Sequence, residues 1–401
     1  MTGACDNAPA TVSVGGEISE DTTWCAASEI LLEELTFVRG ATLTIEAGTT
    51  ISGENGAALV VASDAMIDAQ GTAEAPIVFT SSFGADAEAG DWGGLVLLGS
   101  APINVGSSNI EGMEASDGSA YGGTDAAHNC GTLRYVRIEY GGFVFGEDNE
   151  LNGLTVGGCG SDTTLEYIQV HKGLDDGIEF FGGTVSLKWA VVTQTGDDSV
   201  DWDEGWTGNA QFLAIQQSAT AGDRGFEADN LGDDNDATPR SNPMVANVTM
   251  VSPGENADQI GMKLRRGTGG AITNVIIAGF DNEPIDIDGE VTAGLFGNDL
   301  SLSYVINFGN GDWKDESAEE DNDDGGFEEA TEIAAIEGYS TEDPQLGDWE
   351  SLSAPDFVPA QGSPAANGGA TPSGEWWTAA DYIGAFEPGG ADWTAGWTSF
   401  P

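Results

Sequence analysis

Glu179, Asp201, Glu227, Lys263 and Asp286 each close the same phrase, in which a small or turn residue is followed by an apolar residue and then a charge. The phrases are Gly177-Ile178-Glu179, Ser199-Val200-Asp201, Gly225-Phe226-Glu227, Gly261-Met262-Lys263 and Pro284-Ile285-Asp286, and their charged positions are 22, 26, 36 and 23 residues apart. Repeats of this period mean stacked coils rather than separate domains. In such a coil the apolar residue points into the lumen and the charged one points outward. The charges then form an external ladder with a rise of about 4.8 Å per step.

Two kinds of chemistry fit that ladder. Glu179, Asp201, Glu227 and Lys263 have the ingredients of a calcium-dependent polysaccharide lyase or glycoside hydrolase. Carboxylates would hold Ca²⁺ against a uronate, Lys263, Arg265 or Arg266 would act as base or charge stabiliser, and Trp202 and Trp206 would stack on sugar rings. Alternatively, the acids bind calcium for structural reasons and Lys263 offsets their repulsion. The second reading is preferred. A chain with 68 acidic and 11 basic residues, net −57, is a poor host for polyanionic uronates. Two carboxylates roughly 5 to 10 Å apart, as a hydrolase requires, arise almost anywhere on so acidic a solenoid.

Calcium is expected at oxygen clusters rather than in a loop motif, since neither an EF-hand spacing nor a Gly-rich nonapeptide repeat is present. The candidates are Asp201, Asp203, Glu204 and Asp229 around the ladder, and Asp321, Asp323 and Asp324 in the most acidic loop. His128 and His171 read as surface or turn residues rather than ligands.

A second set of segments runs in phase with the first. Tyr135, Tyr167, Trp189, Phe212, Asn247, Asn274 and Tyr304 each precede a Val/Ile-rich run whose alternation is that of a half-buried strand. Two strand segments per turn, punctuated by Gly, Asp and Asn, describe a parallel β-helix. Gly94-Leu95-Val96 and Gly153-Leu154-Thr155 fit the slot of the charged phrases with uncharged third residues, which confines the charged ladder to the middle of the solenoid.

Several motifs together resemble a family of secreted or surface-anchored bacterial right-handed parallel β-helix proteins. They are Ala41-Thr42-Leu43-Thr44-Ile45-Glu46-Ala47-Gly48-Thr49, Gly90-Asp91-Trp92-Gly93-Gly94-Leu95, Leu133 to Tyr140, Asp197-Asp198-Ser199-Val200-Asp201-Trp202, Tyr382 to Phe386 and Asp392 to Trp397. The resemblance covers nearly the whole chain. It implies an all-β fold and an extracellular or outer-cell-surface address, and it carries no catalytic residues with it.

Composition narrows the partners. The charge repels nucleic acid and anionic lipid and attracts divalent cations, while also serving solubility in a saline medium. No apolar stretch approaches the roughly 20 residues of a membrane span. Four cysteines without a C-x-x-C pair argue against zinc and for two disulfides in an oxidising compartment, Cys5 to Cys25 and Cys130 to Cys159. Thr2-Gly3-Ala4-Cys5 also resembles a lipoprotein cleavage context, and lipid on Cys5 would exclude the first pair. No signal peptide is evident, so the chain is expected to begin after processing.

The chain divides into a cap (1–40), coils with acidic insertions (41–332) and a final coil with a Trp-rich cap (333–401). One insertion, about 104 to 131, carries Glu111, Glu114, Asp117 and Asp125. An open solenoid end exposes strand edges and must be covered. Trp393, Trp397 and Phe400 are candidates for that cover, or for an adhesive that joins subunits head to tail into fibres. The reading is an extracellular, calcium-stabilised surface module that self-associates or binds a surface glycan.

Overall fold

In the computed structural model, residues 5–401 are described apart from 7, 112, 114, 117, 147–148, 255, 257 and 315–323. Twenty-two strands join through parallel pairings into one continuous ladder, a parallel β-helix. On one face the strands Leu59–Val61, Leu95–Leu98, Leu154–Gly157, Ile178–Phe181, Val200–Asp203, Arg224–Ala228, Ile260–Leu264 and Ile285–Ile287 stack in order. Ile178, Val200, Phe226, Met262 and Ile285 lie beneath one another in the lumen, each at most 2 % exposed. Small residues open the phrases because the coils approach closely there. A Cβ on Gly261 would fall 2.3 Å from the Pro284 carbonyl oxygen.

A second face is built from longer strands: Gly131–Glu139, Thr164–His171, Ser186–Thr193, Asn209–Gln216, Met244–Val251, Gly270–Ala278 and Leu300–Phe308. Each contains one left-handed residue other than glycine, at the same level. Tyr135, Tyr167, Trp189, Phe212, Asn247, Asn274 and Tyr304 have φ between +49° and +61°. The first of these strands pairs with Met66–Gln70 before Tyr135 and with Ile77–Ser81 after it. A single left-handed residue therefore replaces the turn formed by residues 71–76 and bends the strand at a corner. The conformation is costly for bulky residues, and stacking offsets it. The Tyr135 and Tyr167 rings lie 4.3 Å apart, Tyr167 and Trp189 4.5 Å, and Trp189 and Phe212 5.8 Å. Asn, which tolerates this region better, takes over at 247 and 274.

The ladder begins earlier than the boundary near residue 40, since Thr11–Ile18 already pairs with Glu29–Val38. At the other end, the helix Glu290–Leu295 and the segment around Phe327 and Ile333 pack on the lumen core. The last part of the chain is not a further coil. After Ser340 bridges to Ile306, it runs back along the outside of the second face, and its anchors are side chains of the coils. Gln216 and Gln194 donate to the Trp349 and Leu352 carbonyls, Asn247 to that of Tyr382, and Gln169 to that of Ser399. Trp397 is buried in T-shaped contact with Tyr135 and Tyr167. Trp393 and Phe400 are partly buried against the same cluster. The three aromatics thus lie along the flank of their own helix instead of at its open end.

Both disulfides form as expected, Cys5–Cys25 and Cys130–Cys159, with Cα separations of 5.6 and 5.8 Å. Among the described residues, no helix is long and apolar enough to cross a membrane.

Candidate cation site on the charged face

Strand register brings the charged phrases together as the spacing requires. Thr155, Glu179, Asp201, Glu227, Lys263 and Asp286 face one another in successive strands. Because Ile285–Ile287 is the last strand of this face among the described residues, the charged ladder reaches the C-terminal end of the solenoid and is not confined to its middle. Upstream, the uncharged Val60 and Val96 in the same column are covered by Ile103, Ile110 and Tyr121 of the insertion.

The ladder is not a solvent face. Glu179, Glu227 and Asp286 are 7, 8 and 6 % exposed. Its C-terminal half is neutralised by ion pairs. Lys263 Nζ lies 2.8 Å from Asp286 and 2.7 Å from Asp288. Arg265 bridges Glu227 and Asp229, and Arg266 reaches Asp229 at 2.8 Å. Arg224 contacts Asp223 at 2.6 Å, Glu227 at 3.0 Å and Asp198 at 3.6 Å. Burial works against the charge on Lys263, but Asp286 and Asp288 more than offset it and hold the ammonium above its ordinary value.

The N-terminal half is different. Three groups of carboxylates converge to within 4.8 Å: Asp175, Asp176 and Asp197; Asp176, Glu179 and Asp201; and Asp198, Asp201 and Glu227. Asp176, Glu179 and Asp201 make no ion pair among the described residues. Burial, then repulsion by Asp201 for Glu179 and by Asp198 for Asp176, pushes both carboxyls well above their usual range. Burial and Asp176 do the same to Asp201, and burial and Glu227 to Asp198. Asp175 is pushed up to about 7 by burial and Asp197. Polar contacts within the cluster are few. Asn152 Nδ2 donates to Glu179 Oε2, and the Asp198 amide donates to Asp176 Oδ1 at 2.9 Å. Asn152 Oδ1, Asp198 Oδ1 and Asp201 Oδ1 are buried without a hydrogen-bond partner. Like charges held this close need a cation or a proton between them.

Of the calcium ligands expected from sequence that lie among the described residues, Asp201 alone enters these groups. Asp229 is taken by Arg265 and Arg266, Glu204 accepts from the Tyr121 hydroxyl at 2.9 Å, and Asp203 accepts from the Glu204 amide. Asp324 accepts from the Gly326 and Phe327 amides in a turn of its own. Asp321 and Asp323, like Glu114 and Asp117, lie outside the described residues. Trp202 and Trp206 are not sugar platforms: both are 1 % exposed inside the lumen, where their indole N–H groups donate to Thr268 and Val185. His171 is not a surface residue either, being fully buried against Thr193 and Phe400. His128 is partly buried and bonds Ser100.

Sequence reasoning missed Asp175, Asp176, Asp197 and Asp198. The signal was present in the longer phrases Asp175-Asp176-Gly177-Ile178-Glu179 and Asp197-Asp198-Ser199-Val200-Asp201, repeated at 22 residues. One coil on, Arg224 stands where Asp176 and Asp198 stand.

The profile of the pectate-lyase-like β-helix domain matches residues 16–398. The chain belongs to this β-helix family. No curated protein and no solved structure matches it significantly. Membership agrees with the parallel ladder and with the resemblance carried by the sequence motifs. It assigns no catalytic residue to this face.

Proposed function

We propose that this chain is an extracellular, calcium-stabilised β-helix that serves as a cell-surface structural or binding module. The observation that carries this reading is the convergence of Asp176, Glu179 and Asp201 on a largely covered face without a basic partner. All the atoms they offer are hard oxygens, a donor set that suits Ca²⁺ better than softer metals. The two disulfides support an oxidising compartment. The test is thermal unfolding in EDTA and in CaCl₂ at matched ionic strength. Calcium should raise Tm in the wild type, and Glu179→Gln or Asp201→Asn should flatten the difference. Equal melting with and without calcium would sink the reading.

The family's description keeps a polysaccharide lyase in view as a second reading. Against it stands the arrangement of the bases, because Lys263 is held by two carboxylates and Arg265 by two more. Release of unsaturated products from a polyuronate, abolished by Lys263→Gln, would establish the lyase in place of the module.

A further inference from the structure

The three carboxylate groups are not separate. The first and second share Asp176, and the second and third share Asp201. Together they hold seven distinct carboxylates, against which Arg224 and Arg265 set two guanidiniums. With all seven ionised, one divalent ion would leave a deficit of three charges on a face that is largely shielded from water. Two would leave one. An independent feature points to ligands rather than to mere crowding. Asp198 is 3 % exposed, and its Oδ1 is buried with no hydrogen-bond partner while its own amide fixes Asp176. Beside Glu179, Asn152 is fully buried with its Oδ1 equally unpartnered. Buried polar atoms are nearly always paired, so the orphaned Asp201 Oδ1 and Asn152 Oδ1 mark missing partners at the group of Asp176, Glu179 and Asp201, while Asp198 belongs to the group that Arg224 reaches.

Access grades across the cluster. Asp176 and Glu179 are each 7 % exposed, whereas Asp175, Asp197 and Asp201 are partly buried. The third group differs again, because Arg224 and Arg265 already engage its Glu227 and Arg224 also reaches Asp198.

Resting on the cation reading above, we propose that this face takes two divalent ions in tandem. A deep ion sits at Asp176, Glu179 and Asp201, and a shallow one at Asp175, Asp176 and Asp197, with Asp176 bridging them. Arg224 closes the third group to a further ion. Its guanidinium, standing one coil beyond Asp198, is a permanent substitute for the cation that the two preceding coils require.

The experiment is calorimetric titration of the EDTA-stripped full chain with CaCl₂, with bound calcium counted by elemental analysis. Two events are expected, one tight and one weak. Asp197→Asn should remove only the weak event, with far-ultraviolet circular dichroism confirming that the fold is kept, whereas Glu179→Gln should remove the tight one. Arg224→Gln should add a third. Absence of any binding overturns the cation reading and the tandem with it. A single ion in the wild type overturns the tandem alone. Two ions that both survive Asp197→Asn overturn the placement, and unchanged stoichiometry in Arg224→Gln overturns the role of Arg224.

Discussion

Lys263 and Asp286 occupy facing positions on adjacent strands, and the ammonium lies 2.8 Å from the carboxylate with Asp288 at 2.7 Å on its other side. All three side chains are at most 12 % exposed. A buried ion pair contributes little net stability when formed, but removing one partner leaves an uncompensated charge that costs about 3–5 kcal/mol. Lys263→Met should therefore destabilise the helix by roughly that amount in urea unfolding, and adding Asp286→Asn with Asp288→Asn should restore most of it. A variant that unfolds at the wild-type midpoint would show that Lys263 is not a structural counter-ion.

His171 supplies a pH dependence of known sign. Burial, reinforced by Lys172 and Arg137 and only partly opposed by the Pro401 carbonyl, lowers its pKa from the ordinary 6.5 to about 4. Thr193, Tyr140 and Phe400 complete its surroundings. The unfolded chain takes up a proton on this residue near pH 6.5, whereas the folded chain does so only near 4. The stabilisation from the neutral ring is thus fully present above pH 6.5 and is lost as pH falls through that window. Its size is on the order of 3 kcal/mol. Comparing wild type with His171→Asn between pH 7.5 and 4.5 isolates this effect from the carboxylates, and the wild type should lose more. Parallel pH curves for the two proteins would refute it.

Much of the architecture was legible because it rests on local repetition. The spacing of Ile178, Val200, Phe226, Met262 and Ile285 placed the lumen stack, and the residues before each Val/Ile run proved to be the left-handed corner column. The cluster was legible only in part. Asp176 and Asp198 precede the small residue of each phrase, in a turn position that composition alone reads as solvated, and only the ladder folds them beside Glu179 and Asp201. Trp202 and Trp206 failed as sugar platforms because Trp202 sits two residues after the inward Val200 and so points the same way. The tail was misplaced because its partners, Tyr135, Gln169 and His171, lie far upstream, a relationship no periodicity encodes.

The disulfides should respond differently to reductant. Cys130 and Cys159 are both fully buried in the core, while Cys5 is partly exposed at the first coil. Mild reductant on the folded protein is expected to open Cys5–Cys25 alone, with Cys130–Cys159 yielding only after denaturant. In the chain-entropy model, loops with separations of 20 and 29 residues contribute roughly 3 to 4 kcal/mol each. Differential alkylation followed by peptide mapping reads this order, and simultaneous reduction of the two bonds would contradict it.

The last prediction decides what the C-terminal aromatics do. Trp397 is 1 % exposed, donates its indole N–H to the Trp393 carbonyl at 2.9 Å and meets Tyr135 and Tyr167 edge-on. Gln169 both donates to and accepts from the backbone of Ser399, and Lys172 reaches the Pro401 oxygen at 2.6 Å. These contacts make residues 392–401 a strap that shields the aromatic corner and satisfies polar side chains of its own helix. Trp397→Ala should cost about 3–5 kcal/mol, the usual loss for emptying a buried tryptophan site, and deletion of 392–401 should lower Tm while uncovering the Tyr135–Tyr167 stack to solvent. An adhesive tail gives the opposite pattern: the full-length chain would associate in salt or calcium, and the truncated chain would remain a folded monomer of unchanged Tm. Light scattering and thermal unfolding on the same two proteins separate the alternatives, since a strap moves stability without changing mass and an adhesive moves mass without changing stability.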